Sequence, residues 1–275
     1  MKPGILAAFF AGLALSSPAT ANDTGLAAAS LSKQFTLEGG VNILAPRGRF
    51  GSFLPGTDTG GYVGLSDLNF DRYTASPLLL ARWRATERLH FGAMYQSASI
   101  SGGISDSGAI PFPPISIPVG YDVRSDLDVD RFRASAGYAF WLGEGYEYGF
   151  GAEYNWITFG ATLDATAGIG NLAGRLTTDA SDTYGVPAVF AFGSHAISDR
   201  VSLEGRLAFI NGELDTIDGG FLSTEVKANY HIDDRWAVSG GIQYIDADFT
   251  VKQDTRDLVY DLSFGGVFLL AVLNF

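Results

Sequence analysis

Five glutamates and seven basic residues of this chain fall at alternating positions within apolar–polar repeats. The acids are Glu38, Glu147, Glu153, Glu204 and Glu225, and the bases are Arg72, Arg82, Arg84, Arg131, Arg133, Arg206 and Lys227. Charges gathered inside one narrow space have two uses. In contact they neutralise one another and lock an interior, since an unpaired buried charge is costly. Spread along water, they set the selectivity of a path for ions or small solutes. The residues expected to line such a path are Arg82, Arg84, Arg131, Arg133, Glu153, Glu204, Arg206, Glu225 and Lys227.

Other chemistry is less well supported. Asp126-Leu-Asp-Val-Asp130 repeats carboxylates at every second position, but a calcium loop needs Gly at its sixth position and Glu at its twelfth; here those are Arg131 and Gly137. Solvated carboxylates at a strand end account for the motif, and no metal or cofactor is expected. Hydrolysis on an exported scaffold needs a His to activate water or a hydroxyl. His90, His195 and His231 each lie beside a short polar turn, all at one end, so an enzyme is not expected.

The elements that must position these charges are strands. In Leu222–Ile232 one face carries Leu222, Thr224, Val226, Ala228, Tyr230 and Ile232, and the other Ser223, Glu225, Lys227, Asn229 and His231. A period of two separates these sets and a helix would mix them. Tyr146–Trp156 and Trp236–Tyr244 alternate in the same way, with Trp236 and Tyr244 at either end of one apolar face. Aromatic girdles at two membrane interfaces give that spacing, and a face of polar residues and glycine suits a lumen.

Short polar turns at 85–88, 142–145, 197–200 and 232–235 alternate with mostly longer connectors at 46–66, 103–121, 165–174, 212–218 and 253–256. This predicts about ten antiparallel strands, centred near residues 40, 78, 94, 134, 152, 187, 206, 226, 241 and 266, in an all-β, up-and-down transmembrane barrel with periplasmic turns and external loops. Short strands hidden in 46–66 or 103–121 leave eight or twelve open. Asp215, Asp218, Asp246, Asp248, Asp254 and Asp257 then fall on the external side, where they serve solubility, repel anions or hold divalent ions shared with lipopolysaccharide. The proline-stiffened stretch Pro111–Pro118 is a candidate mouth or partner loop.

The two ends fit export. Met1-Lys2, the apolar run Ile5–Leu15 and an Ala-x-Ala ending at Ala21 form a secretory signal, so residues 1–21 are expected to be removed, 22–34 to form a periplasmic lead-in and 35–275 the barrel. Cleavage takes the formal charge from 18 − 30 = −12 to 17 − 30 = −13, which disfavours nucleic acid as a partner. At the other end Val267, Leu269, Ala271, Leu273 and Phe275 alternate and finish on Phe. This resembles the C-terminal signature of bacterial outer-membrane β-barrel proteins, which the barrel assembly machinery recognises. The resemblance implies an outer-membrane location, with membrane lipid, lipopolysaccharide and the assembly machinery as partners and Phe275 as the assembly signal. One departure stands out: the inward face of that strand, Phe264, Phe268, Leu270 and Val272, is also apolar. The expected activity is a narrow passive channel for ions or small solutes. A closed structural or adhesive barrel working through its loops, or a carrier of apolar molecules using that patch, are the alternatives.

Overall fold

The computed structural model describes residues 25–57, 59–104, 110–112, 115–117, 121–169, 172–214, 217–252 and 257–275. The expected leader at 1–21 lies outside them, as do Asp215 and Asp254. A short helix, α1 (Leu26–Leu31), precedes the strands. These are β1 (Phe35–Phe53), β2 (Gly60–Gly64), β3 (Thr74–Arg84), β4 (Leu89–Ile104), β5 (Ile110–Phe112), β6 (Ile115–Ile117), β7 (Tyr121–Gly143), β8 (Tyr146–Ile169), β9 (Leu172–Ala196), β10 (Val201–Leu214), β11 (Ile217–His231), β12 (Trp236–Lys252) and β13 (Asp257–Asn274).

Ten of these strands form a closed antiparallel meander in the order β1-β3-β4-β7-β8-β9-β10-β11-β12-β13, and β13 pairs back onto β1 from Thr36↔Asn274 to Phe53↔Asp257. Closure satisfies the edge amides that a bilayer could not. The two regions suspected of hidden strands do contain them, yet neither adds a stave. β2 pairs with the far end of β1 (Arg49–Phe53), and β5 pairs only with β6. The ladder between β3 and β4 begins at Leu78↔Gln96, directly after Pro77, which has no N–H to donate. Beyond it the Thr74 hydroxyl donates to the Ser99 carbonyl (2.7 Å).

The turns at one end are tight. In 232–235 the Asp233 carboxylate accepts from the backbone N–H of Arg235 (2.8 Å) and Trp236 (2.7 Å), and these bonds hold its pKa below the usual carboxylate range. At the other end the strands run farther than alternation alone suggested. β8 and β9 pair out to Ile169↔Leu172, and β10 and β11 out to Leu214↔Ile217, so 165–174 and 212–218 are mainly strand.

The outer surface explains that extra length. Near the turn end it carries Phe35, Trp83, Phe91, Tyr138, Tyr230, Trp236 and Phe275; higher up it carries Tyr95, Phe132, Tyr154, Trp156, Phe209 and Tyr244. A register shift between Ala139 and Trp141 turns both Phe140 and Trp141 outward, thickening the lower girdle. From Trp236 to Tyr244 is about 27 Å along the strand, which at barrel tilt rises about 20 Å, so the two rings fall near the edges of an apolar band about 25 Å tall. Beyond this band the faces exchange character. On β12, Val238, Ile242 and Tyr244 point out while Ser239, Gly241 and Gln243 point in; farther along, Asp246, Asp248 and Thr250 point out while Ile245, Ala247, Phe249 and Val251 point in. β7 and β8 switch at Asp130-Arg131 and Trp156-Ile157.

The loop half therefore has a hydrophobic core inside the barrel. Seventeen buried apolar residues among those described form it, including Ile100, Leu127, Ile157, Phe159, Val186, Phe221, Ile245, Phe249, Leu262 and Phe264. Leu65, also in this cluster, and Leu68 (1% exposed) come from the β2–β3 connection, which lies over the core's outer end. Phe249→Asp should lower the guanidinium unfolding midpoint of the refolded protein severely, by the equivalent of about 4 kcal/mol or more, because the carboxylate has no partner there. Thr250→Gln, one residue away on the wet face, should change stability by no more than about 0.5 kcal/mol.

Candidate functional site: a charged chamber beneath the dry core

The turn half of the lumen holds three layers of polar side chains. Nearest the turns, Arg84 Nη2 lies 2.5 Å from Glu147 Oε2 and also donates to the Leu31 carbonyl at the end of α1. His90 Nε2 stands 3.5 Å from the same carboxylate oxygen. The helix is held at two further points: the Ala27 amide donates to the Asp199 carbonyl (2.9 Å), and Ser30 Oγ is 3.3 Å from His231 Nε2. Ala27 and Leu31 are buried by this docking. The lead-in expected at 22–34 thus has an ordered part, lodged in the turn-end mouth of the barrel.

In the second layer Lys227 Nζ donates to both oxygens of Glu38 (2.6 Å each) and lies 3.4 Å from Glu204 Oε2. Glu204 also accepts from Arg82 (3.1 Å) and from Asn229 Nδ2 (2.7 Å). Asn229 connects onward to Ser202 (3.1 Å) and Ser239 (2.5 Å), and Ser202 Oγ is 3.1 Å from His231 Nε2. The third layer centres on Glu153, which accepts from Arg206 and from Asn155 Nδ2 (2.9 Å) and lies 3.9 Å from Arg131. Arg131 spends Nε and Nη2 on Asn155 Oδ1 (2.9 and 2.7 Å). Its guanidinium also faces the Phe221 ring at 5.3 Å, and that of Arg206 lies 3.5 Å over Phe190. These rings are the floor of the dry core.

Between the layers is a cavity of about 110 Å³, bordered by Glu38, Arg82, His90, Arg133, Glu147, Glu204, Arg206, Glu225 and Lys227 together with Phe190 and Phe192. The two phenylalanines need glycine opposite them: a Cβ at Gly151 would come 2.4 Å from Phe190 Cζ, and one at Gly149 would come 2.7 Å from Phe192. Part of the high glycine content is thus room for rings inside the barrel.

All nine residues expected to line a lumen face this interior. Arg72 does not; it is exposed in the connection before β3, beyond the strand whose alternation would have turned it inward. Phe264 joins the dry core, Phe268 and Leu270 pack with Leu78 and Met94, and Val272 is buried on the same face. Phe275 points outward, 59% exposed, with its ring 6.0 Å from that of Phe35 and its amide donating to the Phe35 carbonyl (2.8 Å). Asp126, Asp128 and Asp130 lie on the outer face of β7, and no group of carboxylates and histidines suited to a metal occurs among the described residues. The three histidines are all at the turn end. Asn155, Asn229, Ser202, Ser239, Gln96 and Gln243 are not among the residues the sequence singles out as lining the lumen; they hold the inward phase in the same repeats as the charges, and Asn155 and Asn229, with Ser202 and Ser239, connect them.

No family model and no curated protein matches this sequence. Among solved structures, the outer membrane protease OmpT from Escherichia coli superposes with a TM-score of 0.56 at 10% identity, covering 89% of this chain and 97% of that one. The Pseudomonas putida toluene transporter TodX matches at TM-score 0.38 and 13% identity, covering 94% of each chain. Neisserial surface protein A matches at 0.33 and 12%, covering 88% of this chain and 97% of that one. The first of these likenesses establishes a common barrel architecture and nothing about chemistry.

Glu153→Ala would leave Arg131 and Arg206 buried without their shared carboxylate. The expected loss is about 3–5 kcal/mol in equilibrium unfolding. Lys252→Ala, which breaks an exposed pair with Glu213 at the loop end, should leave the same transition essentially unchanged, because solvent screens that pair.

Proposed function

We propose that this chain is a bacterial outer-membrane barrel with a closed lumen that acts through its protruding loop end. In this reading the turn end is periplasmic, and the strands beyond the upper aromatic girdle form a rigid tower in the external medium. The observation that carries it is the apolar cluster filling the loop half of the interior. A continuous water path for ions would have to cross that cluster, and dewetted apolar constrictions oppose ion passage. The contact ion pairs below it and α1 at the periplasmic mouth act in the same direction. Phe264, Phe268 and Leu270 belong to packed clusters, which supports filler over a carrier pocket.

The narrow channel remains the competing reading, since the charged chamber resembles one half of a selectivity path. Enzymatic activity gains no support: the likeness to a protease is one of architecture alone, at 10% identity, and the histidines here sit at the opposite end from the loops. The outward C-terminal Phe275 supports the assembly machinery as a partner during biogenesis, with membrane lipid and lipopolysaccharide around the finished barrel.

Full-length protein, verified as folded by heat-modifiable gel migration, should give no steady conductance steps in a planar bilayer. Arg84→Ala, which loosens α1 but leaves the dry core intact, should stay equally silent. Regular steps from either protein, with a cation or anion preference, would return the reading to a channel.

A further inference from the structure

The ionic arithmetic of the periplasmic half of the lumen does not close. Among the described residues six cationic side chains face it (Arg82, Arg84, Arg131, Arg133, Arg206 and Lys227) against five carboxylates (Glu38, Glu147, Glu153, Glu204 and Glu225), and 6 − 5 leaves one positive charge. The contacts locate the excess. Arg84 is matched by Glu147, and Lys227 with Arg82 by Glu38 with Glu204. Arg131 and Arg206 share the single carboxylate of Glu153. Arg133 is only 7% exposed and borders the cavity, yet among the described residues no carboxylate lies within 4.0 Å of it and no side-chain hydrogen bond to it is formed. It acts electrostatically on both Arg131 and Arg206, so three guanidiniums surround one contacting carboxylate. Glu225 borders the same cavity and is likewise out of contact with any cation among the described residues.

A buried guanidinium with five donors and no acceptor is expensive unless something in the cavity accepts from it. Water supplies acceptors but leaves the net charge in place. A monovalent anion supplies both, and guanidinium donors form their strongest bonds to an ionised acceptor. The cavity, about 110 Å³, suits a halide or a one- or two-carbon carboxylate and is too confined for a sugar acid. We propose that Arg133 anchors a binding site for one small monovalent anion in this chamber, with Arg206 beside it. The site lies away from the loop-end tower on which the proposed function stands, so either can fail without the other.

The test is the apparent melting temperature of the refolded, full-length protein in detergent. Chloride is varied from about 1 to 100 mM while gluconate, too large for the chamber, holds ionic strength constant. Binding to the folded state should raise the midpoint by about 3 °C or more over this range. Arg133→Gln should abolish the rise and Arg133→Lys, which keeps the charge, should retain most of it. The exposed Arg49→Gln serves as the control that leaves it unchanged. Acetate that raises the midpoint as chloride does assigns the site to small anions in general, and a response to chloride alone assigns it to halide. A flat chloride response in the wild type, or an equal rise in wild type and folded Arg133→Gln, overturns the proposal. If Arg133→Gln does not fold, a bromide anomalous peak against Arg133 in wild-type crystals decides: its presence supports the site, and its absence beside bromide bound elsewhere overturns it.

Discussion

A β-strand has two faces and a period of two, so a strand that starts in hydrocarbon and ends in water must exchange the chemistry of its faces without breaking its ladder. That exchange governs this barrel. Below the upper girdle the lipid takes the apolar face and the lumen receives what is left, including the glutamates, arginines and amides. Above it water takes the polar face, and the apolar residues have only the interior to occupy. The pairing is continuous through the switch: on β12 and β13 the register runs unbroken from Trp236↔Leu273 to Lys252↔Asp257. One lumen therefore has two interiors, a polar chamber at membrane depth and a dry core beyond it.

The two halves depend on each other. The dry core supplies the hydrophobic burial that a ten-stranded barrel in lipid cannot obtain from its outer surface, since lipid and side chain are equally apolar. The charged layers fix register from inside: Lys227 on β11 reaches Glu38 on β1, and Arg206 on β10 reaches Glu153 on β8. Buried pairs of this kind add little net stability, yet removing one partner is severe. They resist slippage because a one-residue shift of either strand would carry its charge into the lipid. The stacking of Arg206 on Phe190 and Arg131 near Phe221 joins the two halves, with cationic heads in the chamber and their planes against the core's floor.

The staves were legible because alternation extends for eight or more residues in most of them, as in Leu222–Ile232, and because four tight polar turns mark one end. The upper halves were harder to read. Trp156-Ile157 and Tyr244-Ile245 place two apolar residues side by side, which looks like the end of a repeat; physically it is the same strand with its phase exchanged. The stretches beyond, rich in Asp, Thr and Gly on one face, then resemble loops. The inward phase was legible for Arg131, Arg133, Glu225 and Lys227, each flanked by apolar neighbours inside an alternating run. Arg72 followed the same parity but sits past the strand end, where parity has no meaning. Pairing between charges was not legible, because contacts such as Glu38 to Lys227 join residues 189 apart and depend on closure.

The apolar face of β13 links the terminus to the interior. Phe268, Leu270 and Val272 point inward at membrane depth, where the other strands place polar groups, and the residues they meet include Leu78 and Met94 from β3 and β4. The chamber is consequently lopsided, with its charges on β7, β8, β10 and β11, on Glu38 of β1 and at the turn end of β3, and an apolar wall where β13 closes the barrel. The seam between β1 and β13 joins the two strands most distant in sequence, so it carries the largest closure entropy of the pairings in the barrel. A wall of Phe, Leu and Val there lets the final strand dock by burial alone, without waiting for a buried charge to find its partner. The ionic layers, once complete, hold the register that docking has set.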